Sequence, residues 1–281
     1  MTVTFETIAA MRAKVAAWKA DRVSVGLVPT MGGLHAGHVA LIDASVAACD
    51  KTIVTIFVNP TQFGANEDLD NYPSDRQTDL ETLSTAGADA AFVPSVGEMY
   101  PDGFATRVIV DGLTDCLCGA SRPGHMDGVT QVVSKLLNQA QADRAYFGEK
   151  DWQQLAVIRR MARDLDIPTE IVEVPTVRDE FGLALSSRNS YLDTVQIEVA
   201  RKFNVILRKA AYDIAAGGAP AEECAKAAEA ILAAGFEKID YVECRDSESL
   251  AAVEALSERP ARIFAAAFLG PARLIDNHAV V

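Results

Sequence analysis

VPTMGGLHAGH, residues 28–38, ties the end of an apolar, β-branched run (Val23–Val28) to the start of an Ala- and Val-rich segment. Gly32 and Gly33 punctuate the run, so a strand is expected to stop there and a helix to follow over about Ala36–Ala48. If Leu34-His35-Ala36-Gly37-His38 opens that helix, His35 and His38 lie three apart and face one way. A helix N-terminus presents unpaired N–H groups and a partial positive charge, which suits phosphate, and two imidazoles there add hydrogen-bond donors. Gly32, Gly33 and Gly37 let a backbone or a ligand approach closely. Two of the chain's 4 histidines fall in these four positions. A Gly-rich turn with two incidental surface histidines fits the spacing almost as well. The strand–turn–helix context favours the anion site.

The alternation continues outward. Thr52–Val58 is a second buried-strand run, stopped by Asn59-Pro60. Asp75–Ala86 reads as a helix, Ala90–Val93 as a short strand, and Asp127–Ala140 as a helix with Asp127 as its N-cap. Arg144–Phe147 is strand-like, Trp152–Leu165 helical and Glu170–Val174 strand-like. Upstream, Phe5, Ile8, Met11, Val15 and Trp18 recur at helical spacing and read as one amphipathic helix. Thr106–Val110 reads as an apolar strand available to a subunit contact. Strands alternating with helices predict an α/β fold, a Rossmann-like doubly wound parallel sheet with helices on both faces. Ligands in such sheets bind beyond the carboxyl ends of the strands. VPTMGG, NPTQF and GEKD each follow a strand and fall there.

After Val177 the texture changes. Gln196–Ala216 and Ala221–Ala234 read as Ala-rich helices, and Lys238–Arg245 and Ala261–Phe268 as strands. The expected organisation is a Rossmann-like binding domain over 1–177 and a smaller C-terminal α+β lid domain over 178–281, with Gly182 as hinge material.

Composition narrows the function classes. A formal net charge of −13 argues against nucleic acid as the main partner, yet a few Lys and Arg can still line a local anion pocket. At 49% hydrophobic but only 7% aromatic, the core is expected to be Ala-rich and helical. The first residues lack the continuous apolar stretch of a leader, and the longest apolar run, Ile263–Leu269, is too short to span a bilayer. The expectation is a cytoplasmic protein that binds no membrane. The 5 cysteines suit reduced thiols; Cys116, Cys118 and His125 lack a fourth ligand for zinc.

Four further segments carry chemistry. FVNPTQF (57–63) ends a strand at Pro60 and offers the amides of Asn59 and Gln62, suited to a hydroxylated, uncharged-to-acidic small molecule or to a plain polar turn. YFGEKDWQQ (146–154) supplies Lys150, a compact cation for a phosphate oxygen, with Asp151 as a potential helix cap and Gln154 one turn along. LSSRNSYL (185–192) offers the hydroxyls of Ser186 and Ser187 and the fork of Arg188, a phosphate nest or a capping turn. RPGHMDGV (122–129) adds Arg122, which either meets a substrate or closes a salt bridge within its loop. No Walker A pattern occurs, so a phosphate cradle must be assembled from separate segments, with His35, His38, Lys150 and Arg188 as its positive groups.

HAGH after the first strand resembles the HxGH signature of the nucleotidyltransferase superfamily, which binds ATP and reacts at its α-phosphate. More narrowly, PTMGGLHAGH followed in order by the four segments above resembles the pantothenate synthetase (pantoate–β-alanine ligase) family, with clear motifs over 25–192. The resemblance implies ATP-dependent ligation of pantoate and β-alanine through a pantoyl adenylate, with release of AMP and pyrophosphate. It further implies Mg2+ accompanying ATP, and a homodimer. Residue by residue it implies His38, Lys150, His35 and Arg188 as catalytic. Pro29, Thr30, Met31, Gly37, Gly148, Asp151, Val177, Leu185, Ser186 and Ser187 would join them around ATP. Met31, Asn59, Gln62, Arg122 and Gln154 would surround pantoate, and Asp79 and Asp151 would lie near Mg2+. The chain departs from the family's usual form at Met126, where Phe is common, and at Leu185 and Glu180-Phe181. Rival readings are a nucleotidyltransferase acting on a phosphate substrate, an aminoacyl-tRNA synthetase-like core, and a nucleotide-binding regulator without turnover.

Overall fold

The computed structural model describes residues 2–64 and 67–281. Six strands form one parallel sheet: β1 (Val3–Phe5), β2 (Val25–Thr30), β3 (Lys51–Ile56), β4 (Ala90–Phe92), β5 (Arg144–Gly148) and β6 (Glu170–Val174), in the spatial order β1-β4-β3-β2-β5-β6. From β2 the chain steps one way to β3 and β4, then crosses back to add β5 and β6 on the other side. The order therefore reverses between β2 and β5, and a crevice opens at their carboxyl ends. Thr30 and Gly148 end these two strands, so the motifs that follow them face each other across that crevice.

Period-two alternation divides the burial. Val25 and Leu27 face the core built by α1 (Ile8–Ala20), α6 (His125–Ala140) and α7 (Trp152–Asp164). Val28, Val54 and Tyr146 face the opposite layer, where α2 (Ala36–Ala48) and α3 (Arg76–Thr85) bury Ile42 and Leu83. Two shorter helices, α4 (Val96–Met99) and α5 (Leu117–Ser121), complete this part.

A second hydrophobic core begins at Leu183. Helices α8 (Thr194–Ala215) and α9 (Pro220–Ala234) pack on an antiparallel sheet of β7 (Lys238–Asp246), β8 (Ala261–Leu269) and β9 (Ala272–Val280). The structure is thus a doubly wound parallel sheet with a smaller α+β unit. Among the described residues no helix is long and apolar enough to cross a membrane.

Three expectations are corrected, and one strand is new. Phe5 belongs to edge strand β1, not to the first helix, which Thr7 caps through its side chain. Thr106–Val110 forms no strand in this chain. Asp127 lies in the first turn of α6, whose N-cap is Gly124 in the left-handed region at φ 83°. Strand β9 was not anticipated.

Candidate active site

The glycine turn after β2 is braced from below. Gly32 and Gly33 adopt φ 84° and 62°, conformations that strain any residue with a Cβ. The backbone N–H of Gly33 donates to Asp79 Oδ2 at 3.0 Å, and that of Leu34 donates to Oδ1 at 2.8 Å. Asp79 is buried on α3, lies under the turn and takes no place in the cavity wall. Both of its carboxylate oxygens hold the turn, a structural role beside the Mg2+ assignment that the resemblance implies.

His35 is the N-cap of α2, with its Nδ1 accepting the Gly37 N–H at 3.0 Å. His38 returns the contact: its Nδ1 accepts the His35 N–H at 3.3 Å. A backbone donor on each Nδ1 leaves the proton on each Nε2, so both rings retain one outward donor. Their centroids are 4.1 Å apart. Burial, then the charge of Lys150, pushes the His35 pKa down to about 4; burial, then His35 and Lys150, pushes His38 down to about 3. The pair is therefore neutral near pH 7, which corrects the expectation of cationic imidazoles. What remains is two neutral donors at a helix N-terminus.

Across the crevice, a short 3-10 turn (Glu149–Asp151) carries Lys150 into α7. Lys150 Nζ lies 3.6 Å from Asp151 Oδ2. Asp151 occupies the N-cap position of α7, but its side chain makes no capping bond, contrary to the capping expectation. The turn is pinned from the second core: Asn277 Nδ2 on β9 donates to the carbonyls of Glu149 at 2.9 Å and Lys150 at 3.0 Å. The paired glutamines divide their duties. Gln153 is buried, accepting from Cys118 N–H and donating to the Leu113 and Cys116 carbonyls, whereas Gln154 lines the cavity.

The amide corner follows β3. Asn59 is buried and consumed by structure: it donates to Gln62 Oε1 and the Gly128 carbonyl, both at 3.1 Å, and accepts from Tyr100 OH at 2.9 Å. Gln62 turns its Nε2 toward Met31 Sδ at 3.2 Å, a weak acceptor that leaves a donor for a better one. Helix α6 comes so close that a Cβ on Gly128 would meet the Thr61 carbonyl at 2.3 Å. His125 Nδ1 contacts the Gln62 carbonyl at 2.9 Å, and burial, then Arg122, holds its pKa down to about 4. Arg122, left open between two roles, pairs with Glu67, Nε to Oε1 at 2.7 Å. The five cysteines are free thiols.

The serine–arginine loop arrives from the second core. Ser186 Oγ accepts the Arg188 N–H at 3.3 Å, and Ser187 Oγ donates to the Gly33 carbonyl at 3.0 Å. Arg188 is bidentate to Asp68, at 2.8 and 2.9 Å. Burial works against its charge, but the Asp68 hydrogen bonds outweigh it and the guanidinium pKa is raised.

These elements enclose one cavity of about 700 Å³, a size suited to a nucleotide with a small second substrate. Pro29, Thr30, Met31, His35, Gly37 and His38 line one side, with Asn59, Gln62 and Arg122 at the amide corner. Gly148, Lys150, Asp151 and Gln154 face them, and Val177, Leu185, Ser186, Ser187 and Arg188 close the remaining side. Asp79 alone of the nominated residues stands outside. Sequence reasoning passed over Asp68, Tyr72 and Asn277, which also line it. The only signal for the first two was the acidic, aromatic EDLDNYP stretch, which reads equally well as a solvated turn.

A helix N-terminus with two neutral imidazole donors, a lysine and an arginine, all at a sheet's switch point beside an amide pocket, defines a nucleotide-using α/β enzyme. The comparisons specify which. The family model described as pantoate-beta-alanine ligase matches residues 3–279. The pantothenate synthetase of Dinoroseobacter shibae is 56% identical over 280 residues, covering 100% of both chains; that of Paramagnetospirillum magneticum is 53% identical over 271 residues, covering 96% of this chain and 95% of the other. A crystal structure of pantothenate synthetase from Thermus thermophilus superposes with a TM-score of 0.93 at 45% identity, covering 99% of each chain. The pantoate-beta-alanine ligase from Francisella tularensis, complexed with beta-gamma ATP and beta-alanine, gives 0.85 at 34% identity, covering 100% of this chain and 98% of that one. This chain belongs to the pantoate–β-alanine ligase family, a family of ATP-dependent ligases.

Proposed function

We propose that the chain condenses pantoate with β-alanine using ATP, and that the residues gathered around the cavity divide the work as follows. A carboxylate oxygen of pantoate attacks the α-phosphorus of ATP, the bond to the β-phosphate oxygen breaks, and pyrophosphate leaves. The amine of β-alanine then attacks the acyl carbon of the adenylate. The acyl C–O bond breaks, AMP leaves, and the nitrogen gives up a proton to yield the amide.

The protein need not supply a nucleophile, because pantoate brings its own. The chain's task is alignment and charge neutralisation. The N–H groups at the start of α2 and the Nε2 donors of His35 and His38 meet phosphate oxygens. Neutral imidazoles suit this, since they donate without needing a proton from solvent. Lys150, from the opposite side of the crevice, neutralises charge that grows on the α-phosphate as the pentacoordinate state forms. Ser186, Ser187 and Arg188 hold the outer phosphates. Gln62 and Gln154 hold pantoate with Met31 beneath it, and Asn59 fixes Gln62. Arg122 acts from the pocket edge through its pair with Glu67.

Among the described residues no cluster of three or more His, Cys, Asp or Glu side chains is arranged to hold a metal ion. Mg2+ would ride on the nucleotide's own phosphate oxygens, with Asp151, which lines the cavity, as the adjoining carboxylate; such a cation would neutralise the departing pyrophosphate. We place the reaction in the cytoplasm and the chain in a homodimer, with residues 178–281 acting as a lid over 1–177.

The observation that carries this reading is the convergence of the α2 N-terminus, Lys150 and the Gln62–Gln154 amides on one cavity. The test separates the half-reactions. Pyrophosphate release should require pantoate but not β-alanine, and sustained AMP formation should require both. Pyrophosphate release that ignores pantoate would overturn the assignment.

A further inference from the structure

Arg188, assigned above to the outer phosphates, already has an anion in its fork. Nε and one terminal nitrogen each bind one oxygen of Asp68, at 2.9 and 2.8 Å. Carboxylate and phosphate present the same two-oxygen edge to a guanidinium, so one site cannot satisfy both. The pair joins the two cores: Asp68 precedes the short turn Leu69–Asn71 beside the sheet, and Arg188 lies in the loop that leads into the second core. Both residues line the cavity, and each side chain is about one-quarter exposed.

The surroundings hold the carboxylate on that spot. Tyr191 OH donates to Asp68 Oδ2 at 3.1 Å, and it also lies 3.0 Å from the Asn71 carbonyl. Ser187 Oγ, next to Arg188, is bonded to the carbonyl of Gly33. The guanidinium is thereby held beside the glycine turn at the mouth of α2, with the Tyr72 ring 5.8 Å away.

We propose that Asp68 is the positioning residue of Arg188: in the nucleotide-free chain its carboxylate stands where an outer phosphate of the nucleotide binds, and the two anions exchange when nucleotide enters. The inference rests on the assignment of Arg188 to the nucleotide. It gives Asp68 two effects. It keeps the arginine extended toward the cavity instead of free in solvent, and it competes with phosphate for the fork. Exchange also strips Tyr191 of its carboxylate partner, leaving the Asn71 carbonyl as the acceptor that ties it to the 67–72 loop.

Competition has a distinctive sign. Apparent affinity is the intrinsic affinity multiplied by the fraction of chains whose fork is free, so removing the competitor tightens binding instead of weakening it. Asp68→Asn keeps the shape and an amide oxygen for the guanidinium while losing the charge, so positioning is retained and competition decides the sign. If the paired state holds most of the population, ATP should bind roughly three- to tenfold tighter. Asp70, exposed two residues away, supplies a control for net charge alone.

The experiment titrates the full chain with ATP and excess Mg2+ by calorimetry, without pantoate. Asp68→Asn should tighten ATP, Asp70→Asn should stay within about twofold, and Arg188→Ala should weaken it. In the Arg188→Ala background, Asp68→Asn should have no further effect. Tyr191→Phe, which removes one tether from Asp68 without touching its charge, should shift affinity the same way as Asp68→Asn but less. In steady state Asp68→Asn should lower KM for ATP without raising kcat, whereas a residue that merely packs the loop would raise KM or lower kcat. Tightening that survives in the Arg188→Ala background would reduce the effect to general charge and overturn the exchange, as would unchanged or weaker binding in Asp68→Asn. Unchanged ATP affinity in Arg188→Ala would instead remove Arg188 from the nucleotide site, while pantoate-dependent pyrophosphate release would still stand or fall by itself.

Discussion

Replacing Asp79 by alanine should collapse the turn that presents the α2 N-terminus. Asp79 is only 2% exposed, and its carboxylate accepts two backbone N–H groups, at 3.0 and 2.8 Å. Hydrogen bonds to a charged group each contribute about 1.5–3 kcal/mol net, and the two N–H groups left behind belong to a half-buried turn. Loss of both should cost about 3–5 kcal/mol. Asp79→Asn keeps one acceptor but turns an NH2 toward the other N–H, and should cost at least about half as much. Denaturant unfolding should show a lower midpoint with an unchanged slope, because the surface exposed on unfolding is the same. Activity should fall with ATP affinity, and added Mg2+ should not restore it. An Asp79→Ala variant of normal stability, whose only defect is a higher Mg2+ requirement, would refute this reasoning and return Asp79 to the metal.

Three further outcomes are expected. Lys150→Ala should slow pantoyl-adenylate formation in single turnover by roughly 10²–10³, the cost of one preorganised charge-stabilising donor, with unfolding unchanged. Gln62→Ala should raise KM for pantoate by about tenfold or more while leaving KM for ATP within about twofold, since its free amide donor faces the pocket and not the α2 terminus. The histidines set the pH response. His35 and His125 are held down to about 4 and His38 to about 3, against 6.5 for the free group, so as pH falls the unfolded chain takes up protons first. Their neutral state thus gives stability that is fully present above pH 6.5 and lost as pH falls toward 4. ATP affinity should not drop as pH rises through 6.5; a drop there, followed by calorimetry, would show imidazolium contacts instead.

The parts of the site that were legible are those encoded locally. Gly32-Gly33 and the HAGH start marked both the end of β2 and the start of α2 at Ala36, because a positive-φ turn and a helix cap are properties of a few adjacent residues. Likewise, Asn59-Pro60 after β3 and GEKD after β5 marked the strand ends that face the crevice. What escaped depends on distant partners. Asp79 reads as an ordinary helix-start acid until the turn of residues 33–34 is seen seated on it. Cationic histidines were a reasonable expectation for exposed rings; burial beside Lys150 reverses it. Strand β9 hides its periodicity because Asp276 and Asn277, buried within it, serve Arg178 and the Lys150 turn instead of an apolar core. Strand β1 is three residues of edge, too short to oppose the helical pattern that runs on from it.

On this assignment the cavity brings the carboxylate of pantoate onto the α-phosphorus of ATP. Turnover of pantoate carrying 18O in its carboxyl group, with ATP and β-alanine, tests it most directly by mass spectrometry of the nucleotide product. AMP should bear one labelled oxygen from pantoate. Label recovered in orthophosphate together with ADP, or AMP without label, would contradict it.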